Sequence, residues 1–167
     1  MKDNDWQSTL FKLERQRQRR MINTIWQKVK TGEPAPVERE AEILYGILMD
    51  HQEFASYFED ESYLEGEGIG TTEKVNPFLH VAIHQMVEEQ VAGENPIEAA
   101  LLCEYLERIG HTRHEALHLI MTVLVHVILQ GLAEGASFDG VKYVRILEKL
   151  RRTPPERIIT ELEDLFS

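Results

Sequence analysis

The sequence predicts an all-α fold, a multi-helix bundle of about seven helices. Apolar residues recur at helical spacing along most of the chain, and no segment alternates as a half-buried strand would. Helix start and stop residues bracket these apolar segments. Because 43% of the 167 residues are hydrophobic, the chain can build a core of ordinary size. We therefore expect a single all-helical domain over residues 1–167.

Three segments follow one another in this domain. Residues 1–30 form an N-terminal amphipathic helix, which Gly32 and Pro34 end. Residues 36–132 form a helical core that carries the histidines, and residues 138–167 add a C-terminal helical extension. Glycines and acidic residues fill the stretch 60–75, so we expect a mobile loop there.

Three helices of the core have clear start signals. Asn76 and Asn95 each precede a proline, which is typical of a capping residue followed by the first helical position. Thr112 and Glu115 have the spacing of a capping box. The glycines expected to end these helices are Gly93, Gly110 and Gly131.

The charge balance disfavours nucleic acid as a partner. The chain has 18 basic and 29 acidic residues and a net charge of −11, and an acidic surface repels a phosphate backbone. A local exception is the basic cluster of the N-terminal helix, which is either a solvated face or a contact for an anion or partner. The cluster consists of Lys12, Arg15, Arg17, Arg19 and Arg20.

Other features of the composition indicate a cytoplasmic, bacterial-type protein. Cys103 is the single cysteine, so no internal disulfide can form, which fits a reducing compartment. The N-terminus has no signal-peptide pattern. The most apolar stretch, 117–132, is interrupted by polar residues, and we expect it to be too short and too polar to span a membrane. The N-terminal helix, which carries Trp6 and Trp26, offers a surface for a protein partner or a second copy.

Two histidine pairs are the main functional signal. His80 and His84 are four residues apart on one predicted helix, and His114 and His118 are four apart on another. Residues four apart lie on the same helix face, about one turn from each other, so both imidazoles of a pair can reach one ion. Because both faces otherwise contain buried apolar residues, the pairs predict a transition-metal site with zinc, iron or nickel.

Two further residues are candidate ligands near these pairs. His126 follows His118 by eight residues, about 12 Å along a straight helix, so it suits a second metal, a supporting contact or the core. Glu88 lies four residues after His84, where it either reaches the site or is a solvated surface carboxylate.

The segment 114–118 also matches the zinc-protease motif H-E-x-x-H. In such enzymes the two histidines bind zinc and the glutamate activates a water molecule. We set this interpretation aside, because Glu115 already has a place in the predicted capping box and no strand precedes the helix to align a peptide.

These residues resemble an uncharacterised bacterial family, domain-of-unknown-function family 1841. The resemblance rests on N-P-F-L-H-x3-H at residues 76–84, on H-x3-H-x2-M at residues 114–121, and on residues 41–54, and it covers about residues 30–132. The chain departs from the family pattern at His126, where a glutamate is typical, and at residues 51–55, where H-P-E-Y-H is typical. The family has no assigned activity, so the resemblance supports the histidine site and implies no reaction.

Two functions therefore remain open from the sequence. The first is a protein that binds a transition metal through histidines on two helices of a bundle, with its reaction unknown. The second is a non-enzymatic structural or protein-interaction domain, in which the histidines form a structural metal site or a hydrogen-bonded core. A catalytic site keeps one coordination position open, whereas a structural site is closed. Whether the protein is an enzyme is not predicted.

Overall fold

The computed structural model describes residues 4–60 and 76–166, with side chains from residue 15 onward. These residues confirm the all-α fold, because they form helices and no strand. The predicted loop at 60–75 falls almost wholly on residues 61–75, which lie outside the described residues. The α-helices are α1 (Asn4–Thr31), α2 (Arg39–Asp50), α3 (Ala55–Glu59), α4 (Pro77–Ala92), α5 (Ile97–Arg108), α6 (Arg113–Glu134), α7 (Gly140–Arg152) and α8 (Ile158–Glu163).

The chain divides into two compact units, Met1–Ala82 and Ile83–Ser167, and the boundary falls within α4. We call them unit 1 and unit 2. Compact units of one chain can belong to one domain or to two, so the single domain remains a prediction.

Unit 1 is built around the aromatic and aliphatic residues of α1 to α3 and the start of α4. Trp26 and Phe58 are buried with their ring centroids 5.7 Å apart, and the Trp26 indole donates a hydrogen bond to Glu59 over 3.0 Å. Arg19, one of the predicted basic cluster, is buried with its guanidinium 4.9 Å from the centre of the Phe78 ring. The cluster is therefore not a uniformly solvated face, since the amphipathic Arg19 side chain packs on an aromatic ring.

Unit 2 is built around α6, which packs with α5 and α7. The prediction that Gly131 ends this helix is wrong: α6 continues to Glu134 and ends at Gly135, whose φ is +64°. Gly131 is buried inside the helix instead. A Cβ atom at this position would lie 3.2 Å from the carbonyl oxygen of Ser137, so glycine allows the chain after α6 to pass close to the helix.

Two of the three predicted helix caps are present in the structure. The Leu79 N–H donates to the Asn76 side chain over 3.1 Å, and the capping box of Thr112 and Glu115 is complete. The Asn95 cap is wrong, because α5 begins at Ile97 with Pro96 at the capping position. Proline has no side-chain oxygen to accept a hydrogen bond, and so this helix start has no side-chain cap.

Helix α6 is rich in apolar residues. With 22 residues, it is long and apolar enough to cross a membrane, judged by length and composition alone. We considered only the shorter stretch 117–132 in the sequence, and we expected it to be too short and too polar for this. Core helices of soluble proteins share this length and composition. Eight residues of α6 are buried within unit 2, so core packing accounts for part of its apolar character, whereas Leu129 and Leu132 are exposed.

Candidate metal centre

Three histidines of unit 2 converge on one another, and we call them the histidine trio: His84 from α4, and His114 and His118 from α6. Their ring centroids lie 5.5 Å apart for His84 and His114, 5.2 Å for His84 and His118, and 4.2 Å for His114 and His118. Each offers a ring nitrogen, and these nitrogens lie within 4.8 Å of one another. His84 is buried, with 1% of its surface exposed, and the other two are half-buried.

The local sequence explains how α6 presents its two histidines. The Thr112 hydroxyl accepts a hydrogen bond from the Glu115 N–H over 3.2 Å, and the Glu115 carboxylate accepts one from the Thr112 N–H over 2.8 Å. This capping box sets where the helix begins and so places His114 in its first turn. His118 then follows one turn later on the same face.

The capping box also occupies the glutamate of the H-E-x-x-H motif. The backbone N–H and the hydroxyl of Thr112 both donate to the Glu115 carboxylate, and they hold its pKa below the usual range. A carboxylate stabilised in its charged form is a weaker base. This contact supports setting the protease interpretation aside.

Glu88, a predicted ligand, forms an ion pair in unit 2. Its carboxylate lies 2.8 Å from the Arg113 guanidinium, at the first residue of α6. The pair joins α4 to the helix start next to His114. Coordination of a metal by Glu88 therefore stays a prediction, while the structure assigns it this contact between two helices.

His126 lies against a different part of unit 2. Its ring centroid is 5.2 Å from that of Phe166, in an edge-on arrangement. Burial, and then the positive charge of Lys142, lower its pKa. His126 is not among the histidines whose nitrogens converge, and its role as a metal ligand stays a prediction.

The fourth histidine of the two predicted pairs, His80, lies in unit 1 and meets a histidine that the sequence did not place. The Nε2 atoms of His80 and His51 are 3.2 Å apart, and the ring centroids are 4.5 Å apart. His51 is 2% exposed and lies at the end of α2, where its Nδ1 is 2.8 Å from the Glu53 carboxylate. Burial opposes ionisation of Glu53, but the contact with His51 and the nearby histidine charges leave its pKa lowered.

Sequence reasoning missed His51 and Glu53 because neither belongs to a periodic pair. They are two residues apart across the turn after α2, so no helical spacing connects them. The signal that the sequence does contain is local: a histidine and a carboxylate separated by one residue at a helix end can hydrogen-bond to each other.

Cys103 has no catalytic features in the structure. It is buried, and burial raises the pKa of its thiol to about 11. The thiolate is the nucleophile, so a raised pKa leaves the side chain unreactive at neutral pH. Cys103 is therefore a small residue of the core of unit 2.

Comparison with known proteins gives one result. The model of a family described as a domain of unknown function (DUF1841) matches residues 14–149, which include the histidine trio and the His51–His80 pair. The chain matches no curated protein and no solved structure. The match extends beyond residues 30–132, where the motifs indicated the resemblance, and it covers most of the chain. The chain belongs to the DUF1841 family.

Proposed function

We propose that this protein binds a first-row transition-metal ion through His84, His114 and His118. The observation that supports the proposal is the convergence of three imidazole nitrogens to within 4.8 Å of one another, from two helices. A metal ion gives three such rings one common partner.

The distances suit this role. Two nitrogens bound to a tetrahedral zinc ion at about 2.0–2.1 Å are about 3.3 Å apart. The trio needs to close by at most about 1.5 Å from its observed limit of 4.8 Å. Rotation of imidazoles about their side-chain bonds covers such a distance without moving the helices.

The type of ligand selects the class of metal. Imidazole nitrogens suit zinc, iron and nickel, while calcium and magnesium prefer oxygen ligands. We therefore propose zinc, iron or nickel as the ion.

The trio defines three coordination positions. A fourth ligand of a tetrahedral ion can be water, a substrate or another side chain, and the first two give a catalytic centre while the last gives a structural one. Because the Glu115 carboxylate belongs to the helix cap, we do not assign it the role of general base.

Elemental analysis tests the proposal most directly. Protein purified without an affinity tag or added metal is compared with a His84→Ala, His118→Ala double variant. We expect the wild type to hold about one equivalent of metal at this site and the variant to lose it, because one imidazole alone binds weakly.

A His111→Ala variant is the matched control. His111 lies just before the α6 cap, with its Nδ1 3.9 Å from the Glu115 carboxylate, and it is outside the trio, so its loss should leave the metal content unchanged. Equal metal content in the double variant and the wild type would show that the trio is not the site. Circular dichroism of each variant checks that the helices are intact.

A further inference from the structure

An ion pair within unit 2 joins the two helices that carry the histidine trio. The Arg113 guanidinium, at the first residue of α6, lies 2.8 Å from the Glu88 carboxylate of α4. Glu88 comes about one helical turn after His84, and Arg113 directly precedes His114. The pair therefore connects α4 to α6 close to two of the three proposed ligands.

A second contact holds the Arg113 side chain in place. One guanidinium nitrogen donates to Glu88, and another lies 4.0 Å from the sulfur of Cys103, which belongs to α5 and to the core of unit 2. The Glu88 side chain is 19% exposed and that of Arg113 is 47% exposed. Because the pair is half-buried, solvent and salt screen its attraction less than they screen a pair on the open surface.

A contact between two helices strengthens metal binding when it favours the arrangement that binds the ion. The nitrogens of the trio lie within 4.8 Å of one another in the same structure in which the ion pair is formed. Without the pair, a smaller fraction of the metal-free molecules holds α4 and α6 in this arrangement, and the apparent metal affinity falls with that fraction. By linkage, a bound ion strengthens the ion pair to the same extent.

We propose that the Glu88–Arg113 ion pair positions the histidine trio for metal binding, and that Glu88 acts through this pair and not as a ligand. The proposal rests on the proposed function and deepens it, because it names the residues that adjust the affinity of the same site. In the rival role, Glu88 coordinates the ion itself, and its carboxylate must first leave Arg113. The two roles predict opposite effects of replacing Arg113.

The experiment measures zinc affinity by calorimetry in the wild type, in Glu88→Gln, in Arg113→Gln and in the double variant. We expect each single replacement to weaken zinc binding by about 3-fold to 5-fold, which is the upper part of the range that one ion pair near the surface contributes. The double variant should bind zinc as the single variants do, because either replacement already breaks the contact.

Two results of this cycle would overturn the positioning role. If Arg113→Gln binds zinc as tightly as the wild type or more tightly, while Glu88→Gln binds it weakly, the released carboxylate is a ligand. If the two losses add in the double variant, the residues act independently of each other and the pair is not the cause.

Glu89→Gln is the matched control for Glu88→Gln. Glu89 is the next residue of α4, is exposed, and accepts a hydrogen bond from Gln85 over 3.1 Å on the same helix, so its replacement should leave the zinc affinity unchanged. A loss equal to that of Glu88→Gln would contradict the role of the pair.

Salt gives a readout that a general loss of stability would not change. The double variant has the net charge of the wild type, since it loses one acidic and one basic residue. A rise in ionic strength should weaken zinc binding more in the wild type than in the double variant, because only the wild type has the pair to screen. Equal salt dependence in the two proteins would contradict the proposal.

The two proposals fail separately in this experiment. If His84→Ala, His118→Ala loses zinc binding while Glu88→Gln and Arg113→Gln bind zinc like the wild type, the trio is the site and only the positioning role is overturned. If His84→Ala, His118→Ala binds zinc as tightly as the wild type, the trio is not the site and both proposals are overturned.

Discussion

Replacement of His84 by alanine should remove most of the stabilisation that metal provides. His84 is the buried member of the trio and the one that comes from α4, whereas the other two ligands both come from α6. Its loss leaves two ligands on a single helix, and the bound ion then no longer links two helices. His84→Ala should therefore reduce the amount by which metal binding stabilises the folded protein.

The size of this effect follows from linkage between binding and folding. Zinc at 100 times its dissociation constant stabilises the folded protein by about 2.7 kcal/mol. Loss of a residue that only orients a ligand weakens metal binding by up to about 100-fold. If loss of the ligand itself has at least this effect, the same zinc concentration is at most equal to the new dissociation constant and contributes at most about 0.4 kcal/mol. At about 4 °C per kcal/mol, zinc should raise the Tm of the wild type by about 11 °C and that of the variant by at most about 2 °C.

The assay is thermal unfolding followed by far-ultraviolet circular dichroism, with zinc and with a chelator. Comparing each protein with itself removes the direct effect of the cavity that His84→Ala leaves in the core. His111→Ala serves as the control and should keep the full rise of about 11 °C. An equal rise in the wild type and in His84→Ala, or no rise in the wild type, would refute the reasoning.

Three other predictions concern the cap, the thiol and acid stability. Thr112→Ala should lower the free energy of unfolding by about 1 kcal/mol in chemical denaturation, whereas Glu115→Gln should leave stability and metal content nearly unchanged, because glutamine also serves in a capping box. Cys103 should react with a thiol reagent at pH 7 only when unit 2 opens, because its pKa is raised to about 11 and it is buried; fast labelling of folded protein would contradict this. Hydrogen bonds, first from the Trp26 indole, lower the pKa of Glu59 below its ordinary 4.5, so its stabilising effect is present above that pH and is lost as the pH falls through the folded value. An acid titration of Trp26 fluorescence in wild type and Glu59→Gln tests this, and we expect a weaker pH dependence in the variant.

Elements that depend on local interactions could be predicted from the sequence. The helical fold, the Thr112–Glu115 box and the Asn76 cap all depend on residues within a few positions of one another. The pairing of His114 with His118 depends only on the helical repeat. The role of Gly131 was predicted wrongly because it depends on a tertiary contact. A glycine that permits close packing cannot be distinguished in sequence from a glycine that ends a helix.

The arrangement of the histidines depends on more than the local sequence. The sequence determined that His80 and His84 share one helix face and that His114 and His118 share another. Only the tertiary structure decided that His84 joins the α6 pair, and that His80 meets His51, which lies 29 positions away in the chain. Spacing along a helix restricts which side chains share a face, but packing between helices determines which faces meet, and that depends on the shape of the whole core.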